Sequence, residues 1–188
     1  MKRNKCLLAA SALATLFPLA GQAEDINVDF TATVLATTCS MSIVALDGST
    51  ITGDATSGYT LDMGDISMDK VVKKTAESQK NFKFVASECS ASLGTITTTL
   101  APSSSASGTY IKNESAESGA ATNVGVGFKQ KSTTGETWLQ PGTGKFDWST
   151  AQRTANEVEM TVGLRELAEG TGTPGAFSAK ATFNFTYQ

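Results

Sequence analysis

The C-terminal segment of this 188-residue chain alternates without interruption between apolar and polar side chains. A period of two predicts a β-strand with one face in a core and the other in water. The apolar positions are Phe177, Ala179, Ala181, Phe183, Phe185 and Tyr187. An edge strand exposes unpaired N–H and C=O groups, which invite pairing with another strand. Because the sequence ends at Gln188, we expect the covering strand to come from elsewhere in the chain or from another molecule.

Residues 1–23 are typical of a secretory signal peptide. Three basic residues at positions 2, 3 and 5 precede an apolar run over 6–19 and a small-x-small cleavage site at 21–23. The run is too short to span a membrane. The predicted mature chain starts at Glu24 and has 165 residues, the length of one domain. Its formal net charge changes from −3 to −6, which disfavours nucleic acid and anionic membranes as partners.

The mature chain would keep two of the three cysteines, Cys39 and Cys89. Export places them in an oxidising compartment, so we predict a disulfide between them. Closing a loop of about 50 residues is worth roughly 4 kcal/mol in the chain-entropy description. Two free buried thiols are the alternative. Zinc is disfavoured, because the chain has no histidine and two thiolates do not complete a tetrahedral site.

The mature sequence predicts an all-β fold built as a sandwich of two packed sheets. Short runs of period two recur along it and are separated by turn dipeptides such as Asp47-Gly48 and Pro141-Gly142. A short helical turn is predicted within 68–80, and the serine-rich stretch 102–108 is interpreted as a solvated loop. The predicted strands cover 26–34, 41–46, 59–63, 82–86, 96–100, 124–128, 158–164 and 177–187.

The side chains that most catalytic sites require are missing. Without histidine the chain lacks the usual general base and any Ser–His–Asp triad, so we expect no enzymatic activity, no cofactor and no metal site. Residues 141–145 resemble part of a phosphate-binding loop. Leu139 and Phe146 replace the glycine and the serine or threonine that the motif needs, so we interpret the segment as a turn. Three aspartates over 62–69 do not match a calcium loop and are interpreted as surface acids.

Two further features each allow two interpretations. Trp138 and Trp148 flank the Pro141 turn, where they would either contact a carbohydrate or anchor the loop in the core. Asn113 and Asn184 each begin an Asn-x-Ser/Thr triplet, which marks a glycosylation site or arises by chance. Asn184 lies in the predicted terminal strand, a poor place for a glycan.

The start of the mature chain carries a second alternating strand with no obvious place in the domain. Its apolar face comprises Ile26, Val28, Phe30, Ala32 and Val34. One arrangement is intermolecular, with this arm of one copy filling the groove beside the terminal strand of the next copy. The alternative is that residues 26–30 fold back onto their own domain as an ordinary edge strand. Patterning alone does not distinguish the two.

The chain resembles the fimbrial subunits of the chaperone–usher pathway, close to the type 1 pilin group, over essentially the whole mature sequence. Each matching segment is weak alone, whereas the ordered set with a signal peptide is specific. The segments are 28–34 ahead of Cys39, Leu61-Asp62-Met63-Gly64, Phe82-Lys83-Phe84 leading to Cys89, Asn123-Val124-Gly125-Val126-Gly127, and Thr173-Pro174-Gly175 ahead of 181–188 with its penultimate tyrosine.

The resemblance implies an incomplete immunoglobulin-like β-sandwich that lacks its last strand and carries an N-terminal donor-strand arm. The arm would cover 24–35 and the pilin domain 36–188. In such subunits a periplasmic chaperone lends a strand, and the arm of the next subunit replaces it at an outer-membrane usher. This donor-strand complementation is an established example of recognition by strand addition.

On this chain the resemblance makes the apolar face of the arm the donor strand. The acceptor groove and chaperone-binding surface would be the apolar set from Phe177 to Tyr187, and the Gln188 carboxylate would meet basic residues of the chaperone. One departure concerns Ala32, because relatives commonly have glycine there. A methyl group at that position leaves the register of insertion open.

We therefore expect a structural subunit of an adhesive fimbria, exported through the periplasm to the cell surface. Its partners would be neighbouring pilin subunits in a homopolymer, the chaperone and the usher, with a host receptor as a further candidate for the assembled fimbria. A shaft subunit is favoured over a minor or adaptor pilin. A different class is a monomeric secreted carbohydrate-binding β-sandwich module with its own seventh strand. An enzyme is the third alternative.

Overall fold

The structure is a computed structural model that describes residues 38–188. The predicted signal peptide over 1–23 and the predicted arm over 24–35, including its donor face from Ile26 to Val34, lie outside the described residues. The described part is all-β, as the alternation predicts, with short strands, two short helices and one 3-10 turn. In chain order the strands are β1 (Ser40–Leu46), β2 (Thr50–Asp54), β3 (Gly58–Asp62), β4 (Gln79–Ser87), β5 (Ile96–Leu100), β6 (Ala106–Ser107), β7 (Tyr110–Lys112), β8 (Val124–Gln130), β9 (Lys145–Asp147), β10 (Glu157–Glu166) and β11 (Phe183–Tyr187).

The strands form two main sheets that pack face to face. The larger sheet has six strands in the order β1-β4-β10-β8-β7-β6, and the smaller has three in the order β11-β5-β9. All strand pairs are antiparallel, and β2 and β3 form a separate hairpin. Phe84 of the larger sheet contacts Phe183 and Phe185 of the smaller one, with ring centroids 5.0 and 5.1 Å apart. The core therefore lies between the two sheets, as in a β-sandwich.

Strands β4 and β10 supply the centre of the core. Alternate residues on each strand face inward: Phe82, Phe84 and Ala86 on β4, and Val158, Met160, Val162 and Leu164 on β10. All of these side chains are buried. Complete burial of one large apolar side chain is worth about 1.5–3 kcal/mol relative to exposure. The period-two pattern seen in the sequence thus becomes the division between the core face and the outer face of the larger sheet.

A loop crosses the outer face of the larger sheet and seats Trp138 on two glycines. A Cβ atom at Gly127 of β8 or at Gly163 of β10 would lie 2.9 or 2.7 Å from the indole, so only glycine leaves room for the ring. The buried guanidinium of Arg165 lies 4.9 Å from the ring centroid and binds Glu136 through Nε and Nη2 at 2.6 and 2.9 Å. We name Glu136, Trp138 and Arg165 the strap, and their side chains cover this part of the outer face.

Both helices of the described chain are short. The predicted helical turn within 68–80 is confirmed as α1 (Met68–Val72) and a 3-10 turn (Ala76–Ser78). Helix α2 (Thr150–Ala155) is not predicted by the sequence pattern, although Ser149 and Gln152 form a complete capping box at its start. Within residues 38–188 no helix has the length and apolar character needed to cross a membrane.

The strands predicted within residues 41–164 are confirmed, and the terminal strand predicted over 177–187 forms over 183–187. Four short strands are not anticipated. These are β2, β6, β7 and β9, which have two to five residues and therefore little periodic signal. The solvated-loop interpretation of 102–108 is wrong for Ala106 and Ser107, because they form β6 and pair with Ile111 and Tyr110. At the C-terminus the predicted strand is longer than β11, a difference that bears directly on the candidate site.

Candidate functional site

Strands β1 and β11 each terminate a sheet. Strand β1 pairs with β4 alone, from Ser40 opposite Ser87 to Leu46 opposite Asn81. Strand β11 pairs with β5 alone, from Phe183 to Tyr187. Within residues 38–188 the other edge of each strand has no strand partner. Both edges therefore offer main-chain N–H and C=O groups to an additional strand.

The two free edges are joined at one end of the sandwich. The Tyr187 hydroxyl donates a hydrogen bond to the carbonyl oxygen of Cys39 at 3.3 Å. Burial raises the pKa of Tyr187, so the hydroxyl stays protonated and able to donate. Cys39 also forms the predicted disulfide with Cys89, which ties the start of β1 to the chain just beyond β4. We define the groove as the space bounded by β1 and by residues 176–187, closed at the Tyr187 end.

Half-buried apolar side chains line the groove. Met41 and Ile43 of β1 pack against the core from one side. From the other side, the six apolar residues predicted from the alternation all pack against the same core, and the polar residues between them are exposed. Phe183 contacts Phe128 as well as Phe84, with the Phe128 centroid 5.2 Å away. Each ring thus packs against the core on one side and stays partly exposed to solvent. A further strand would cover the exposed part.

The first half of the predicted terminal strand does not join a regular sheet. The ladder with β5 ends near Thr182, whose carbonyl oxygen accepts a hydrogen bond from Ala101 N–H at 2.8 Å. Residue Ala176 instead makes a parallel bridge with Ala120. Further along, the Ser178 carbonyl oxygen accepts from Glu114 N–H at 2.7 Å. The segment therefore leaves the ladder with β5 and binds the connection between β7 and β8 of the larger sheet, while the alternation of exposed and half-buried side chains continues.

Gln188 is anchored at the start of β5. Its main-chain oxygen accepts hydrogen bonds from the N–H groups of Gly94 and Thr95, both at 2.7 Å, and its own N–H donates to the Thr95 oxygen at 3.0 Å. These bonds hold the closed end of the groove in register with β5. The role predicted for the Gln188 carboxylate toward a chaperone stays a prediction.

The two tryptophans are packing residues. Trp148 is 1% exposed, and its indole N–H donates to the Thr98 hydroxyl at 2.8 Å inside the core. Trp138 is 6% exposed in its seat on the outer face. Because neither ring is presented to solvent, the loop-anchoring interpretation is favoured over carbohydrate contact.

The remaining candidate motifs serve local structure. Residues 141–144 form a turn, as interpreted, in which Gly142 N–H donates to the Leu100 oxygen at 2.9 Å. Asp62 accepts from Gly64 N–H at 2.8 Å, and Asp69 accepts from the hydroxyl of Ser67. In the described range no group of three or more cysteine and acidic side chains is arranged to hold a metal ion.

Comparisons with known proteins agree with this architecture. The sequence profile of a family described as "Fimbrial protein" matches residues 28–188. The fimbrial-like protein YadM of Escherichia coli (strain K12) is 46% identical over 170 residues, which is 88% of each chain. Among solved structures, the P pilus rod subunit PapA covers 86% of this chain and all of its own length with a TM-score of 0.56 and 19% identity. The last likeness concerns the fold.

Proposed function

This chain belongs to the fimbrial protein family, and we propose that it is a structural subunit of an adhesive fimbria that polymerises by donor-strand exchange. The observation that supports the proposal is the groove: within residues 38–188 one edge of β1 and one edge of β11 have no strand partner, and every apolar side chain along 177–187 is only half-buried. A strand inserted there would pair with main chain on both sides and cover those side chains.

The arm at the start of the mature chain has the right chemistry to be that strand. Its apolar residues repeat with the same period as the groove, from Ile26 to Val34. Burial of each large apolar side chain is worth about 1.5–3 kcal/mol, and each main-chain hydrogen bond adds about 0.5–1.5 kcal/mol. Several such contributions approach the net stability of a domain, about 5–15 kcal/mol. A subunit with a filled groove should therefore be far more stable than one without.

A pocket lies next to the end of the groove wall opposite Tyr187. It has a volume of about 60 Å³ and is lined by Phe177 together with residues that include Met68, Val71 and Pro174. It is larger than the space that one water molecule occupies. An apolar side chain of an inserted strand fits this lining.

The proposal assigns partners and location together. Neighbouring pilin subunits supply and receive arms, a periplasmic chaperone holds the groove before assembly, and an outer-membrane usher exchanges one strand for another. The subunit passes through the periplasm and ends in a cell-surface fimbrium, with no catalytic role. A domain that has both an arm and a groove would extend a polymer in both directions, so it can lie inside a fibre rather than only cap its tip. Among such internal subunits we favour a shaft subunit over a minor or adaptor pilin.

Two variants with complementary defects test the exchange. Deletion of residues 24–34 removes the donor and keeps the groove, whereas Phe183→Asp places a charge in the groove and keeps the donor. We expect neither variant to polymerise alone and an equimolar mixture to form a one-to-one complex, measured by light scattering after size-exclusion chromatography. Polymers from the deletion variant alone would contradict the donor assignment, and polymers from Phe183→Asp alone would contradict the groove assignment.

The same variants distinguish shaft from adaptor when they are expressed in cells that lack the wild-type gene. Electron microscopy of the cell surface should show no fibre with either variant and normal fibres with the wild-type gene. Fibres that persist with an altered tip or altered length would instead identify an adaptor.

A further inference from the structure

The side chain of Asn113 holds together three segments at the open end of the groove. Its Nδ2 donates to the carbonyl oxygens of Ala121 and Ala176, both at 2.7 Å. Its Oδ1 accepts from the N–H groups of Ser115 and Ser178 at 3.0 and 2.9 Å. The amide thus uses both donor hydrogens and both acceptor lone pairs, which no other side chain of similar size offers in one plane.

Glu114 extends this arrangement along the same segment. Its N–H donates to the Ser178 oxygen at 2.7 Å, and its carboxylate accepts from Lys180 N–H at 3.1 Å. We name Asn113 and Glu114 together the clamp. The clamp binds main-chain N–H and C=O groups of residues 176–180, while the side chains of Phe177 and Ala179 pack against the core.

Gly175 shows independently that this segment is seated closely on its neighbour. Its φ is +155°, and a Cβ atom there would lie 2.0 Å from the oxygen of Gly119 and 2.6 Å from the nitrogen of Ala121. Only glycine permits the two main chains to approach in this way. The position of residues 176–180 along the groove is therefore fixed first by the close approach at Gly175 and then by the clamp.

We propose that Asn113 is a positioning residue for the inserted strand: it sets the half of the groove wall that carries Phe177 and Ala179. The inference rests on the proposed donor-strand function. Residues 183–187 are held by a continuous ladder with β5, whereas residues 176–180 depend on the clamp, the bridge to Ala120 and the approach at Gly175. Loss of the Asn113 side-chain amide should therefore displace residues 176–180 and leave residues 183–187 in place. The Asn113 triplet noted in the sequence is accordingly a structural element, because its amide hydrogens are already used.

The test uses the full mature chain with a second copy of residues 24–36 joined after Gln188 by a flexible glycine–serine linker. A short linker gives an effective concentration of about millimolar, so the added copy fills the groove of its own chain. Asn113→Asp is nearly isosteric but replaces the donor Nδ2 by a carboxylate oxygen that faces the carbonyl oxygens of Ala121 and Ala176. Glu114→Ala is a milder variant that removes one acceptor and keeps the test valid if Asn113→Asp does not fold. Ser115→Ala is the matched control, since it abolishes the triplet and leaves the Asn113 amide intact.

Hydrogen exchange and an alanine scan of the added copy provide the readouts. In Asn113→Asp we expect amide exchange over 176–181 to be about ten- to a hundredfold faster, with 183–187 unchanged. In the wild-type chain, alanine at each apolar position of the added copy should lower the unfolding midpoint. In the Asn113→Asp and Glu114→Ala chains, alanine at the apolar positions of one end of the added copy should no longer lower the unfolding midpoint. Alanine at the other end should still lower it. A merely structural role would lower every midpoint by the same amount.

The outcomes separate the two proposals. If the added copy does not raise the wild-type midpoint above that of a chain with a scrambled copy, donor-strand exchange itself is wrong. If the copy stabilises the wild type but the variants show uniform or unchanged sensitivity, the assignment of Asn113 is overturned alone. The same loss in Ser115→Ala would also overturn it.

Discussion

Strands β4 and β11 present the same sequence pattern and reach different degrees of burial. Both carry aromatic residues at every second position, and Phe84 of β4 touches Phe183 and Phe185 of β11. On β4 the inward side chains are at most 3% exposed, whereas on β11 each of them remains half-buried. Strand β4 lies between β1 and β10, and β11 has a neighbour on one side.

The difference shows that alternation determines which face of a strand is apolar but not how completely that face is covered. Coverage requires a strand on each side as well as an opposing sheet. In the described chain the core is complete around β4 and β10 and incomplete around β11. The incompleteness coincides with the unpaired edges of β1 and β11, so one further strand would correct both.

The largest expected effect comes from replacing one aromatic residue of β4 and one of β11 by alanine. Phe84→Ala should lower the free energy of unfolding by about 3–5 kcal/mol, because it opens a cavity in a complete core. Phe185→Ala should cost clearly less in the chain alone and approach the same range after a peptide of residues 24–36 is added. Urea unfolding with and without the peptide measures both, with Thr186→Ala as the exposed control. Equal costs for Phe84→Ala and Phe185→Ala without peptide would show that β11 is already complete.

The next effect concerns the Cys39–Cys89 disulfide, which ties the start of β1 to the chain just beyond β4. Replacing both Cys39 and Cys89 by serine should lower the free energy of unfolding by about 2–5 kcal/mol under oxidising conditions. Wild-type protein treated with reductant should unfold at the same denaturant concentration as the variant. Because Cys39 also accepts the Tyr187 hydrogen bond, exchange of the β11 amides should increase as well. An unaltered midpoint would mean that the disulfide contributes nothing to the fold.

The smallest effect tests whether the strap on the outer face is independent of the groove. The hydrogen bonds from Arg165 lower the pKa of Glu136 below its usual range. Its contribution to stability is therefore complete above the unfolded-state pKa and is lost as pH falls through the lower folded-state pKa. Glu136→Gln should flatten this part of the pH dependence of the unfolding midpoint and leave peptide binding unchanged. A change in peptide affinity would couple the strap to the groove.

Several features of the fold could be read from local pattern. The strands around Phe82, Ile96 and Val158 have clear period-two signals, and the disulfide follows from two cysteines in an exported chain. Gly127 and Gly163 alternate with apolar residues in their strands, and glycine inside a strand marks a close approach by another group. What approaches them, Trp138, was not predictable, because the contact joins residues from three separate segments.

In the candidate site, too, some features were predictable from the local sequence pattern and others were not. The apolar faces of 177–187 and of the predicted arm are properties of composition and order. The clamp at Asn113 carried only a misleading glycosylation triplet as a signal, since its four hydrogen bonds reach residues up to 65 positions away. The departure of the terminal segment from the β5 ladder was not predicted for the same reason, because the alternation is identical on both sides of the point where the ladder ends.

By itself the sequence determined the class of fold, the face that each long strand buries and the presence of an apolar segment at each end of the predicted mature chain. These follow from the two-residue period of the extended backbone, which is a local property. The tertiary structure decided that, within residues 38–188, β1 and β11 each have a strand partner on one edge only, that Tyr187 and Cys39 meet at one end of the groove, and that Asn113 binds residues 176–178 at the other end. Those outcomes depend on which distant segments meet, and a local period carries no information about partners.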